Sequence, residues 1–422
     1  PENKAAYQKV AFYRGLEVYT DGEYQDAYTL FKKSLTENKD AKITARATFW
    51  KGECEYSLDQ FSEAVLTYKQ FLNNTSASVT PELKTVNYNL AYAYFKIKEY
   101  ENAIPYFNTY IAQSKEDRNR LTDAYLRMAD CNYISSKYWP AMDAYNKAIE
   151  LKCVDADYAA FQKGMSYGFV NKNDKKIEDL TKFVSTYKTS QYLDDALYEL
   201  GNTYTAEEMN DKAISTFDNL INNNKNSAYV AKSILKQGLI YYNTDKDDAA
   251  ITKFKKVVAE FPNSPESLEA VATAKSIYKA NGKVGEYAAW VKTLSFVEVT
   301  DAELDNDMYE SAEKQYLNNS PKKAIEGFTS YLAQFPNGLH ALKVHFYLAQ
   351  LYFADKLEKN AIPHYDYVIA QARNEFTEQA LVRLSEIHLK DKNCELAISV
   401  LKQVETIAEF PQNTTFAQAN LM

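Results

Sequence analysis

Two small residues twelve positions apart, with an aromatic or aliphatic residue four further on, recur along nearly the whole chain. The triplets are Gly15–Ala27–Phe31, Gly52–Ala64–Tyr68, Ala91–Ala103–Phe107 and Ala129–Ala141–Tyr145, then Gly201–Ala213–Phe217 and Gly238–Ala250–Phe254. Ala312–Ala324–Phe328, Ala349–Ala361–Tyr365 and Ser385–Ala397–Leu401 complete the series. With Gly164 and Lys275 in the first-member slots between them, the steps run from 35 to 39 residues, most of them 37. A fixed period in this range marks a stacked-repeat chain, whose units cannot bury their apolar faces alone. Such an array offers partners a long surface and usually no catalytic pocket.

Within one unit, Leu197, Leu200, Gly201 and Tyr204 stand at i, i+3, i+4 and i+7, one face of a helix. Asn210 and Asp211 read as start signals for a second helix, whose apolar stripe is Ala213, Ile214, Phe217 and Leu220. A small residue on each helix lets the two backbones approach, with Phe217 beside the crossing. Phe261-Pro262-Asn263-Ser264, Phe335-Pro336-Asn337-Gly338 and Phe410-Pro411-Gln412-Asn413 follow second helices. Proline cannot continue a helix, and Asn, Ser and Gly form turns. Tyr167, Tyr204, Tyr241 and Tyr278 keep the 37-residue spacing and are expected to pack between neighbouring units.

These residues resemble the tetratricopeptide repeat, with its small residue at position 8, Ala at 20, aromatic at 24 and helix-ending Pro. The resemblance covers nearly the whole chain in about eleven units, with a period longer than the family's usual ~34. It implies an all-α solenoid, a right-handed superhelix of antiparallel helix pairs. The Phe-Pro-Asn-Ser linkers are similar to those of bacterial cell-envelope members, the Tol-Pal coordinator and the outer-membrane assembly lipoproteins. That likeness implies a periplasmic or outer-membrane-associated setting, with a cytoplasmic one left open.

The expected organisation is regular repeats over 1–264, an atypical repeat over 265–306, regular repeats over 307–411, and the start of a further, truncated repeat over 412–422. Unit eight puts Lys275 and Tyr287 in the small-residue slots and Gly282 and Gly285 in its turn. It reads either as sequence drift or as a bend. Thr300 and Glu303 form a capping-box pattern after it. In unit five Lys176 replaces the second small residue and is expected to snorkel outward. Pro1 occupies a linker slot and Pro411 places the next small residue beyond Met422, so both ends read as cuts in a longer array, with room for a signal or lipid anchor upstream.

Composition narrows the function. A 422-residue chain would normally divide into domains, but repeats that touch only their neighbours escape that limit. A net charge of −8 without a basic stripe argues against nucleic acid. No window reaches the ~18 apolar residues of a membrane span. Cys54, Cys131, Cys153 and Cys394 form no C-x-x-C pair. Of the histidines, His340 and His345 are five apart, off a shared helix face, and His364 and His388 complete the set. No zinc-protease, phosphate-loop or nucleophile-elbow motif occurs. No catalytic, cofactor-binding or metal residue is assigned.

In the family, first-helix positions 2, 5, 9 and 12 line the concave groove. The resemblance therefore implies partner-binding roles for Phe12, Tyr19, Phe49, Tyr56, Tyr88, Tyr92, Phe95, Tyr133, Phe161, Tyr198, Tyr242, Tyr309, Tyr316, Phe346 and Phe353. Seven of the eleven residues at position 5, and seven at position 12, are aromatic, against 14% of the whole chain. Aromatics are typical interface anchors, and equally they pack helix against helix. The carboxylate clamp of chaperone-binding members is absent: position 5 carries no Lys, and Asn202 is the single Asn at position 9. The expected function is a monomeric, non-enzymatic scaffold for proteins or extended peptides. The alternatives are a glycan-binding array or the repeat region of a larger enzyme.

Overall fold

The computed structural model describes residues 2–113 and 117–422, so Pro1, read above as a linker residue, lies outside it. Among the described residues there are 23 α-helices and no strand. They run as antiparallel pairs: α1 (Glu2–Thr20) with α2 (Tyr24–Glu37), α3 (Ala41–Ser57) with α4 (Phe61–Leu72), α5 (Val86–Lys96) with α6 (Tyr100–Gln113), and α7 (Arg118–Ile134) with α8 (Tyr138–Glu150). Next come α9 (Ala156–Phe169) with α10 (Asn173–Thr186), α11 (Leu193–Ala206) with α12 (Asn210–Asn223), and α13 (Val230–Asn243) with α14 (Asp247–Glu260). The series continues with α15 (Pro265–Ala280) and α16 (Val284–Val291), α17 (Asp301–Leu317) and α18 (Pro321–Gln334), and α19 (Ala341–Ala354) and α20 (Glu358–Ala370). It closes with α21 (Thr377–Lys390) and α22 (Cys394–Ile407), and α23 (Pro411–Leu421) follows unpaired. Two compact units result, Pro1–Tyr229 and Val230–Met422, and the atypical repeat lies inside the second.

Where the first member of the triplet is glycine and a ring follows, the crossing is explained by that ring and not by a glycine against an alanine. A Cβ built on Gly201 would stand 2.5 Å from the Phe217 ring, and one on Gly238 2.5 Å from Phe254. Gly15 stands in the same relation to Phe31, and Gly52 to Tyr68. The ring sixteen residues downstream occupies the space a side chain would need. Ala27, Ala64, Ala213 and Ala250 are fully buried beside those rings. Tyr204 and Tyr278 are buried, and Tyr204 Oη lies 3.4 Å from Thr181 Oγ1 on the preceding unit's second helix.

Second helices do not begin as expected. Asn210 is already inside α12; the cap is Met209, which makes no side-chain capping bond. The preceding helix supplies the turn instead. Met209 N–H donates to the Tyr204 carbonyl at 2.8 Å and Glu208 N–H to that of Thr205 at 3.1 Å, the paired bonds of a Schellman motif. All eleven first-to-second turns place one residue in the left-handed region: Gly22, Asp59, Lys98, Ser136, Asn171, Glu208, Asp245, Gly282, Asn319, Lys356 and Lys392. Four first helices are entered through side chains, with Asp40, Asp117, Ser264 and Thr300 accepting from backbone amides. Thr300 and Glu303 form the full capping box.

The two lysines out of pattern find partners. Lys176 is 8% exposed and donates to Glu199 Oε2 at 2.8 Å, so it pairs with the next first helix and does not snorkel into water. Lys275 and Lys279 reach Asp307 at 2.6 and 2.9 Å, which ties α15 to α17 past the eight-residue α16. Tyr287 is buried in the slot that holds alanine in every other unit but the fifth.

Two stability outcomes follow from the crossing and the turn. Gly201→Ala gains up to ~1 kcal/mol of helix propensity but forces Phe217 to move, an overpacking cost of roughly 1–3 kcal/mol. The net effect is a lower thermal midpoint by circular dichroism, and Ala213→Leu lowers it too; unchanged midpoints would refute the tight crossing. Lys98→Gly and Glu208→Gly act oppositely. Relief of the left-handed strain (about 1–2 kcal/mol) exceeds the entropy cost of glycine (about 0.5–1 kcal/mol), so each raises the midpoint. A fall would show that those side chains stabilise the turn.

Candidate functional site

The aromatics of position 5 and of position 12 separate in space. At position 5, Phe12, Phe49, Tyr309 and Phe346 are buried core residues, which corrects their expected place on a partner-binding surface. Their rings turn toward the second helix of their own unit or the start of the next. Phe12 meets Phe31 at 5.9 Å between ring centres, and Phe49 meets Tyr68 and Phe71 at 5.8 and 5.5 Å. Phe161 stacks on Tyr192, Tyr198 on Tyr229, Tyr309 on His340 and Phe346 on Phe376, with centres 4.0–5.6 Å apart. Each of those partners stands at the entry to the next first helix. Position 5 therefore joins units, and half-buried Tyr88, Phe161 and Tyr198 keep only part of their rings in solvent.

Tyrosine hydroxyls are taken up by carboxylates. Tyr88 donates to Asp123 Oδ2 at 2.7 Å and Tyr92 to the same oxygen, from α5 across to α7. Arg127 sits between Asp123 and Asp130, and Asp130 Oδ1 accepts from Tyr145 at 2.8 Å and Tyr158 at 3.0 Å. Burial drives the Tyr88, Tyr92, Tyr145 and Tyr158 phenols well above their ordinary range, so they stay protonated donors. Burial also raises the Asp130 carboxyl, while Tyr145 and Arg127 pull it back. Tyr229, donating to Asp195 at 2.7 Å, is pushed up to about 12 by that bond.

Position 12 faces outward. Tyr19 packs on Tyr24, Tyr56 on Phe61, Phe95 on Tyr100 and Tyr133 on Tyr138, with centres 5.1–5.8 Å apart. Each pair straddles the turn between the helices of one unit, half in solvent. In the second unit Tyr242 is 38% exposed, Tyr316 stacks on Tyr347 at 4.8 Å, and the Arg383 guanidinium lies 4.8 Å over Phe353. Sequence reasoning missed the ring at position 17 (Tyr24, Phe61, Tyr100, Tyr138), although its five-residue offset from position 12 was there to be read. It also missed Phe169, which is exposed beside Tyr133 and Tyr138.

The histidines hold a second surprise. His345 of α19 and His364 of α20 meet Nδ1 to Nδ1 at 2.9 Å, and His345 stacks on Tyr367 at 3.7 Å. Burial, then the neighbouring His364, lowers His345 to about 4, and burial lowers His364. Among the described residues no three His, Cys, Asp or Glu side chains gather as a metal set. A folded pKa below the unfolded ~6.5 means the neutral form is favoured in the fold. The stabilisation is full above pH ~6.5 and is lost as pH falls toward 4. Compared with wild type, His345→Phe should gain in relative thermal midpoint between pH 7 and pH 4.5, read by calorimetry; a constant difference would refute the buried neutral pair.

Models of the tetratricopeptide repeat match residues 85–117, 195–227 and 232–264. No curated protein matches the chain. Among solved structures, a tetratricopeptide repeat protein from Parabacteroides merdae is 16% identical, with a TM-score of 0.38 over 63% of this chain and 97% of its own. The C-terminal part of a repeat protein from Cytophaga hutchinsonii is 14% identical, TM-score 0.40, over 70% and 98%. The Naa15/Naa10 complex bound to HypK-THB is 12% identical, TM-score 0.49, over 98% and 65%. Residues 85–117, 195–227 and 232–264 carry tetratricopeptide repeats, and the chain as a whole is an all-α, tetratricopeptide-like array of helix pairs.

Proposed function

We propose that the chain is a non-enzymatic scaffold that binds proteins or extended peptides along the face formed by its first helices. One observation carries this reading. The position-12 rings Tyr19, Tyr56, Phe95 and Tyr133, each braced by a second aromatic, repeat along the first unit with their outer parts in solvent. Rigid, half-desolvated aromatics give large contact area at small entropy cost, which suits anchors for an extended partner. The buried position-5 rings drop out of this surface, while Tyr92 stays on it; Tyr242, Tyr316 and Phe353 are proposed contacts on the second compact unit taken by itself. Among the described residues no helix is long and apolar enough to cross a membrane. The Phe-Pro-Asn-Ser linkers favour a bacterial cell-envelope setting.

The test compares capture from the source organism by wild type, by the Tyr56→Ala/Phe95→Ala double variant and by Lys32→Ala on α2. Loss of one buried anchor typically costs on the order of 2 kcal/mol, roughly thirtyfold in affinity. The aromatic double variant should lose specific partners while its far-UV spectrum stays helical, Lys32→Ala should keep them, and the partners should be envelope proteins. Equal losses in both variants would move the site to the second-helix face. A wholly cytoplasmic partner set would overturn the setting, and a glycan array bound without any protein partner would overturn the scaffold.

A further inference from the structure

The braced aromatic pair that straddles the turns of the first four units stops abruptly. Where units one to four have Tyr19/Tyr24, Tyr56/Phe61, Phe95/Tyr100 and Tyr133/Tyr138, unit five has Gly168/Asn173 and unit six has Thr205/Asn210. Both rings of the pair are missing in two adjacent units. A cavity of about 340 Å³ opens at that place, between α9, α10 and α11. Met165 and Gly168 form its apolar side, and Phe169, 53% exposed, stands at its edge. Phe169 is held there by the last complete pair: it stacks on Tyr138 with centres 4.7 Å apart and meets Tyr133 edge-on at 5.8 Å. A Cβ on Gly168 would come within 3.3 Å of Lys176 Cδ, so even a small side chain there crowds the lysine.

The polar part of the lining is equally particular. Lys176 and Glu199 form an ion pair at 2.8 Å, and Asn202 brings an amide to the same wall. The pair is neutral overall and presents a donor beside an acceptor. A carboxylate entering here would meet Glu199, and an ammonium would meet Lys176. A purely aliphatic group would strip water from the ion pair and return no hydrogen bond, a net loss for buried charge. A hydroxyl both accepts from Lys176 and donates to Glu199. The space beside it is the space the chain fills with an aromatic ring in its own first four units.

We infer that this cavity is a receptor for one tyrosine side chain of an extended peptide partner, which supplies in trans the aromatic that Gly168 and Asn173 omit. This rests on the scaffold reading for the peptide context, but the pocket can be probed without any partner. The probes are N-acetyl-tyrosinamide, N-acetyl-phenylalaninamide and N-acetyl-leucinamide, titrated into the whole chain labelled at its methionine methyl groups. Only six methionines are present, so the Met165 signal is readily assigned by substitution.

Tyrosinamide should shift the Met165 methyl in a saturable manner, phenylalaninamide should bind roughly tenfold or more weakly for want of the hydroxyl's two hydrogen bonds, and leucinamide should not saturate. Gly168→Tyr with Asn173→Tyr restores the chain's own aromatic pair and should abolish the response with the helical spectrum intact. Phe169→Ala, a surface change that spares the fold, should weaken tyrosinamide severalfold. The inference is overturned if tyrosinamide leaves Met165 unmoved, if leucinamide or phenylalaninamide binds as tightly, or if Phe169→Ala is silent. A silent pocket beside partner capture that still depends on Tyr56 and Phe95 would remove this inference and leave the scaffold standing. A responsive pocket with no partner on the first-helix face would do the reverse.

Discussion

In units one, two, six and seven the distance between the two helices is set by a ring lying against a glycine that has no room for a side chain. Gly201 under Phe217 and Gly238 under Phe254 are the tightest cases. Burying such a ring yields about 2–3 kcal/mol, but only at the separation where it touches the facing helix on all sides. That separation then allows the two helices to be joined by a short turn, and the Schellman bonds at Glu208 and Met209 close it with backbone alone. Because the backbone does the capping, the side chains around the turn are released for other uses. Position 12, whose carbonyl accepts one of those bonds, is the place where the chain puts its outward aromatics.

A division of labour among the aromatics follows. Rings at position 24 hold a unit together, rings at position 5 pack on their own second helix or on the entry to the next unit, and rings at position 12 keep their outer parts in solvent, with Tyr19 and Tyr316 also touching a ring of the next unit. The tyrosine hydroxyls follow the same plan. Tyr68 donates to Glu53 within a unit, whereas Tyr88 and Tyr92 reach Asp123 in the next. An acid placed on the following first helix gives the phenols a charge-assisted partner, so the tyrosines can be buried without an orphaned hydroxyl. Among the described residues Tyr365 is the exception: its hydroxyl is buried without a partner, and Gln350 stands at the position that is Glu53 or Asp130 in units two and four.

The repeat, the pairing of helices and the capping box at Thr300 were all legible in the sequence, because each rests on spacing along one helix or on local chemistry. The split between positions 5 and 12 was not. Both lie on one helix face seven residues apart, and spacing alone does not say that Phe12 and Phe49 turn inward while Tyr19 and Tyr56 turn out. The left-handed turn residues were hidden too, since Asp59, Lys98, Ser136 and Glu208 share no side-chain chemistry; the conformation is imposed by the helices on either side. His345 and His364 stand 19 apart in the chain and meet only because α19 and α20 cross between them. Spacing alone sends Lys176 toward water, because its partner, Glu199, belongs to another unit.

The stacked rings that join one unit to the next have a bearing on how the array comes apart. In a linear array, the strength of each neighbour contact decides how far a local opening spreads. Phe161–Tyr192 links units in the first half, and Tyr309–His340 and Phe346–Phe376 do so near the other end. At Leu235 and Ala272 the position-5 residue has no ring to stack. There the neighbours are joined by other means, among them the salt bridges of Lys275 and Lys279 to Asp307, which salt screens. Cooperativity is therefore graded along the chain: aromatic joints transmit an opening to the next unit, and the ionic joint around α15 and α17 does so to a degree that ionic strength can set.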